Sequence, residues 1–306
     1  MWRDWEQAWA QALYGPAGFV RSGQRPAAHY RTSVHVGGLL AEAVVELLAR
    51  TDTALDHPQT LDVVDLGAGG GELLAGVHEQ APARLRARLR PLGVDVRPAP
   101  DGWDRGWRAA LPAQVHGLVV AHEWLDALAC PVVVHDGVTV RRVQVDDSGA
   151  QRRGPAAAGA ELAWLRRWGS LRAGERSEVG APRDQAWAAV LRSVVAGAAL
   201  AVDYGHQRTG DTLAAYRGGR QVRPVPDGSC DLTAHVFWPS VVAVAGGAVL
   251  PQAQALAKLG VTAATPAAVD PWGWLSAAER VGQLAELSDP DGLGAFGWLL
   301  VEVGDR

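Results

Sequence analysis

The chain has 306 residues, 48% hydrophobic and 20% charged, with a net charge of −4. That length holds one large domain or a core domain with a cap, and the mild acidity gives no electrostatic reason to expect nucleic acid or an anionic membrane. Two cysteines, Cys130 and Cys230, without a CxxC pair, make no disulfide framework, so a reducing cytoplasm is the expected compartment.

Trp2, Trp5, Trp9 and Leu13 recur at helical spacing. They predict a helix over 2–13 pinned to a core by its tryptophan stripe, and the acids within it do not suit a signal peptide. In HYRTSVHVGGLLAEAVVELLAR, Thr32 or Ser33 can cap a helix over roughly 34–50. Together these form an expected N-terminal helical segment, 1–58, ahead of a domain over 59–306. Residues 61–66, 92–96 and 115–124 read as strands, with a helix over 71–80. His135-Asp136-Gly137 between two alternating runs signals a hairpin. A helix over 184–196 and strands over 198–205 and 296–304 follow. A Gly/Ala/Arg-rich stretch at 147–180 breaks the alternation and reads as part of a cap at about 131–180, with a second insertion at about 206–260. Strands separated by helices predict an α/β fold with a mostly parallel sheet, whose ligands sit beyond the carboxyl ends of the strands. No stretch is long and apolar enough to span a bilayer.

The glycine loop lies at such an end. In LDVVDLGAGGGELLAGV, Asp65 ends an apolar run, and Gly67, Gly69 and Gly71 follow at alternate positions. Glu72 stands where a dinucleotide fingerprint would have its third glycine. A pyrophosphate prefers backbone N–H groups and a helix start free of negative charge, which these two acids oppose. They suit a ligand with a cationic end, such as the amino group of S-adenosylmethionine (SAM), whose ribose diol would find Asp95 at the end of LGVDV. A nucleotide ligand and a purely structural turn remain alternatives at this point.

Several further stretches occur in order: HYRTSVHVGGLLAE, HEWLDALACPVVV, LAVDYG, DGSCDLTAHVFW and LPQAQALAKLGV. With DLGAGGGEL they resemble the MidA family of SAM-dependent methyltransferases, which includes the mitochondrial enzyme that dimethylates an arginine of a complex I subunit. The resemblance covers nearly the whole chain. It implies a class I methyltransferase, a Rossmann-like, seven-stranded, mostly parallel sheet with family-specific insertions. It also implies SAM contacts at Asp65, Gly67, Gly69, Gly71, Asp95, Thr32 and Ser33, and a protein arginine as methyl acceptor. Three features depart from the family: His122 replaces the usual Asn, the helix after the second strand is nearly gone, and Asp211 opens the stretch after the DYG segment. A small-molecule acceptor, or a degenerate member acting as a binding or assembly factor, are the rival readings.

Methyl transfer to a guanidinium needs carboxylates that hold its planar fork and localise its charge. The candidates are Glu123, Asp126 and Asp203, then Glu178 and Asp231 on the insertions. Asp126 as a helix cap, Asp231 as a turn or cap and Asp203 as a sheet-end hydrogen-bond acceptor are the structural alternatives. His35, His122, His206 and His235 are scattered without HxxxH spacing, so no metal is expected. The arginines at 84, 86, 88 and 90 read as a solvated face.

Overall fold

The computed structural model describes residues 1–22, 33–263 and 271–304. Its chain divides into two compact units: residues 1–30, 123–191 and 203–247 form one, and residues 31–122, 192–202 and 248–306 the other. The expected N-terminal segment, 1–58, is thus shared between both units.

The second of these units holds most of the large sheet, one strand of which ends in residues 203–206 of the first. Among the described residues, its main path has seven strands: β1 (Leu61–Leu66), β2 (Leu89–Val94), β3 (Gly106–Arg108), β4 (Val115–His122), β5 (Val194–His206), β6 (Val249–Pro251) and β7 (Phe296–Val303). Their order is β6-β7-β5-β4-β1-β2-β3. β1 runs parallel to β2 and β4, β2 to β3, and β4 to β5, while β6 is antiparallel to β7. This is the mostly parallel sheet expected of a class I methyltransferase. The central strands β1 and β4 are buried along most of their length, so their middles, Val63-Val64 and Leu118–Ala121, are continuous apolar runs instead of alternating ones. The strand order reverses between β1 and β4, the switch point at which such sheets bind ligands.

Two local expectations need correcting. The helix expected over 34–50 spans Leu39–Ala54, and no side chain caps it. Ser33–His35 form a short 3-10 turn instead, and Gly37, at φ +59°, breaks the backbone before the helix starts. Ser33 is therefore not the cap, and Thr32 lies outside the described residues. The arginine run is not simply a solvated face. The Arg88 Nη2 donates to buried Asp52 Oδ2 at 2.6 Å and its Nη1 to the Pro58 carbonyl at 2.8 Å, while Arg90 pairs with Asp62 at 2.8 Å. The Arg88 guanidinium holds the Asp52 carboxyl below its ordinary range.

The other unit begins with Arg3–Asp4, which pair antiparallel with Val140–Val145. The helix Trp5–Tyr14 follows, with Trp5, Trp9 and Leu13 fully buried. Trp2 lies ahead of the helix and is exposed. The Trp9 indole N–H donates to the Leu232 carbonyl at 3.1 Å, so a large apolar ring is buried without orphaning its one donor. Cys130, Cys230, Val143 and Ala234 complete this core. The predicted hairpin is present between Val132–His135 and Val140–Val145, with Asp136 Oδ1 accepting the N–H groups of Val138 and Thr139. The 147–180 stretch holds the strand Gln151–Ala156, the helix Ala160–Trp168 and the strand Arg176–Glu178. A smaller sheet joins Arg220–Val222, Ala214–Arg217 and Asp231–Thr233, so Asp231 lies in a strand and not in a turn or cap. Among the described residues no helix is long and apolar enough to cross a membrane.

Trp9→Ala removes a fully buried ring and orphans the Leu232 carbonyl. It should cost about 3–5 kcal/mol, read as a lowered urea midpoint at unchanged slope.

Candidate functional site

The loop after β1 is built from three left-handed glycines, Gly67 (φ +82°), Gly69 (φ +62°) and Gly71 (φ +82°). At Gly71 a Cβ would meet the Trp103 ring at 2.4 Å, so only glycine fits between loop and indole. Every N–H of the loop already has a partner within the protein. Gly67 and Ala68 donate to the Val94 carbonyl, Gly69 to Asp95 Oδ2 at 2.9 Å, Gly70 to Glu72 Oε2 at 2.9 Å and Gly71 to the Ala68 carbonyl. Two of those acceptors are carboxylates, standing where a phosphate would stand in a nucleotide loop. This arrangement opposes a phosphate and leaves the cationic-ligand reading.

Asp65 is the acid at the loop's base, 5% exposed near the end of β1. Burial, then the neighbouring Glu72 and Asp95 charges, push its pKa up to about 7. Among the described residues no cation is paired with it. A bound ammonium is the group that would relieve this, so the residues present fit the aminoacyl end of SAM. Asp95 follows β2 and is held by Arg97 as well as by Gly69. His122, at the end of β4, is buried, and burial with the nearby His35 charge lowers its pKa to about 3, so it is neutral near pH 7. Among the described residues no group of His, Cys, Asp and Glu could hold a metal ion.

The acids expected to serve catalysis lie in the other unit. Glu123 directly follows β4 and holds φ +51°, a left-handed conformation that a non-glycine residue adopts at a cost. Asp203 is fully buried, and both its oxygens are taken. Its Oδ2 accepts the N–H groups of Leu125 (2.8 Å) and Asp126 (3.2 Å), and its Oδ1 accepts that of Tyr204 (3.0 Å). The structure thus gives Asp203 the role of sheet-end acceptor, fastening the turn that carries Asp126. Glu178 is likewise consumed, accepting from the backbone of Thr212 and Leu213 and from the Thr212 hydroxyl.

Asp126 differs. The Thr233 hydroxyl donates to its Oδ2 at 2.7 Å, while its Oδ1 is buried and makes no hydrogen bond of good geometry among the described residues, the Ala127 backbone N–H adding only a weak contact to the carboxylate. Burial raises the pKa of Asp126, and burial together with the Asp126 charge raises that of Asp203. Tyr204 stacks on His235 with centroids 6.1 Å apart and planes at 19°. Burial and the Glu123 charge push the Tyr204 pKa up to about 12, so its phenol keeps its proton.

A family model described as "Putative S-adenosyl-L-methionine-dependent methyltransferase" matches residues 39–250. The chain belongs to that family. It is a SAM-dependent methyltransferase, and its fold is that of a COG1565 superfamily protein from Burkholderia thailandensis crystallised with S-adenosyl-homocysteine (SAH). That match has a TM-score of 0.80 at 24% identity and covers 100% of this chain and 89% of the other. A native crystal structure of a COG1565 superfamily protein from the same organism gives a TM-score of 0.78 at 25% identity, with 100% and 88% covered. No curated protein matches the chain.

Two residues of this methyltransferase escape a reading of the sequence. Arg97 closes over Asp95, and Arg183, only 2% exposed, donates to the carbonyls of Asp126 (2.7 Å), Leu128 (3.2 Å) and His235 (2.8 Å). Neither lies in a motif. An arginine in a surface-like string carries no sign that it will be buried.

Asp65 gives a prediction with a definite sign. Its folded-state pKa of about 7 lies above the unperturbed 3.8, so the folded state holds the proton longer than the unfolded chain does. That contribution to stability is intact below the unfolded value and is lost as pH rises through about 7. Asp65→Asn should therefore melt progressively higher than the wild type as pH increases from about 5 to about 8, measured without ligand.

Proposed function

We propose that this protein transfers the methyl group of SAM to a guanidinium nitrogen of an arginine in a protein substrate. The observation that carries the reading is Asp126 Oδ1, a buried carboxylate oxygen that makes no hydrogen bond of good geometry among the described residues while its sister oxygen is fixed by Thr233. An unsatisfied buried acceptor costs about 1–3 kcal/mol, more when charged, and an arriving N–H fork would recover that energy. The same contact joins two stretches that carry the resemblance to the MidA family, HEWLDAL through Asp126 and CDLTAHV through Thr233.

SAM supplies a methyl group on a positively charged sulfur. Asp65 receives the ammonium of its aminoacyl end, Gly67, Gly69 and Gly71 leave room for the backbone to approach, and Asp95 takes the ribose hydroxyls. Ser33, buried ahead of the first helix of its unit, and Thr32 are further cofactor contacts in this reading. Asp126 binds the acceptor guanidinium, and its charge localises the positive charge on the nitrogens that are not methylated. Glu123, held in its strained conformation, supplies a second carboxylate. Either acid can take up the proton released on transfer, and burial raises the Asp126 pKa, which makes it a stronger base than an ordinary carboxylate. Asp203 acts through the Leu125 and Asp126 N–H groups as a positioning residue.

Asp126→Asn should leave SAH affinity within about threefold, because the cofactor residues are untouched, yet lower methylation by roughly 100-fold. Radiolabelled SAM with fractionated cell extract reads both the acceptor and the loss. Label in protein arginine, abolished by the substitution, supports the reading; label in small molecules, or turnover unchanged by the substitution, overturns it. Because Asp126 must be ionised to hold a guanidinium and its pKa is raised, activity should climb with pH through a range above that of ordinary carboxylates.

A further inference from the structure

Asp95 is saturated. A carboxylate offers about four acceptor positions, and four donors fill them here. Oδ1 accepts the Arg97 backbone N–H at 2.8 Å and the Arg97 Nε at 3.1 Å, while Oδ2 accepts the Gly69 N–H at 2.9 Å and the Arg97 Nη2 at 3.1 Å. A ribose diol needs two of those positions. The two backbone donors are fixed, since Gly69 belongs to the loop and the Arg97 backbone is pinned by its carbonyl accepting the Trp107 indole N–H at 2.9 Å. The two guanidinium donors hang on a flexible side chain and can leave. The same guanidinium lies over the loop, 3.6 Å from where a Gly69 Cβ would stand.

We propose that Arg97 is an internal competitor for the cofactor: its guanidinium occupies the ribose-binding face of Asp95 and must swing away before an adenosyl ligand can bind. The proposal rests on the assignment of Asp95 to the ribose. Arg97 thereby sets the affinity of the site, because part of the binding free energy is used to break a charged bidentate pair. The pair is mostly buried, at 16% and 6% side-chain exposure, so salt weakens it only in part.

The test is calorimetric titration of SAH into the wild type, Arg97→Ala, Arg97→Gln and Asp95→Asn, with the melting temperature of each recorded with and without ligand. Arg97→Ala should bind SAH roughly tenfold more tightly while its ligand-free form melts lower, so the SAH-induced shift grows. Arg97→Gln keeps most of the side-chain volume and removes the charge; it should also bind more tightly, which covers the case in which the alanine variant folds poorly. Rising salt should weaken SAH binding less in the wild type than in either Arg97 variant, because it also loosens the competing pair. If the Arg97 variants bind SAH as the wild type does, or more weakly, the competitor role is wrong even though Asp95→Asn loses affinity. If Asp95→Asn binds SAH like the wild type, the ribose assignment itself falls, and the competitor with it.

Discussion

Negative charge buried without a matching cation is the constraint on which the site depends. An unpaired carboxylate away from water is expensive, and proteins ordinarily pair it or let it take a proton. Among the described residues Asp65, near the end of β1, and Asp126, on a turn fastened by Asp203, are such groups. Neither stabilises the fold. Each makes sense as a receptor for positive charge, Asp65 for an ammonium and Asp126 for a guanidinium, and both raised pKa values are the electrostatic record of a missing partner.

The glycine loop follows from the same constraint. A phosphate-binding loop exposes its N–H groups to an anion. Here those N–H groups are spent on Val94, Ala68 and two carboxylates, which hold the loop in its left-handed shape from within the protein. Asp95 and Glu72 thus brace the backbone of the loop. A ligand that arrives meets a pre-formed loop, so its binding energy is not spent on ordering the backbone.

Much of this was legible in the sequence because it rests on local patterns. LDVVDL and VHGLVVAH are apolar without alternation, which reads as buried parallel strands, and both are central in the sheet. The acid-glycine spacing alone separated the loop from a dinucleotide fingerprint. Misplaced boundaries trace to local conflicts that periodicity cannot weigh. Gly37-Gly38 delays the first helix of the sheet-bearing unit to Leu39 despite good capping residues at Thr32 and Ser33, and Arg3–Asp4 are taken from the tryptophan helix by pairing with Val145 and Gln144. Partners distant in sequence were not legible at all. Arg88 finds Asp52 from 36 residues away, and nothing in the string around Arg88 says that it will.

Arg183 shows why distance in sequence hides function. Its three donors go to carbonyls and not to a carboxylate, so its charge is delivered without neutralising any single acid. It lowers the pKa values of Asp126, Asp203 and Glu178, opposing the larger rise that burial imposes on each. A direct salt bridge to Asp126 would have satisfied that carboxylate and closed it to a guanidinium. Fixing the arginine on backbone carbonyls instead ties Asp126, Leu128 and His235 into one rigid piece, and it leaves Asp126 Oδ1 open. The same side-chain type therefore plays opposite parts on the two acids. Arg97 closes Asp95 by lying on its carboxylate, and Arg183 keeps Asp126 available by bonding only to its carbonyl.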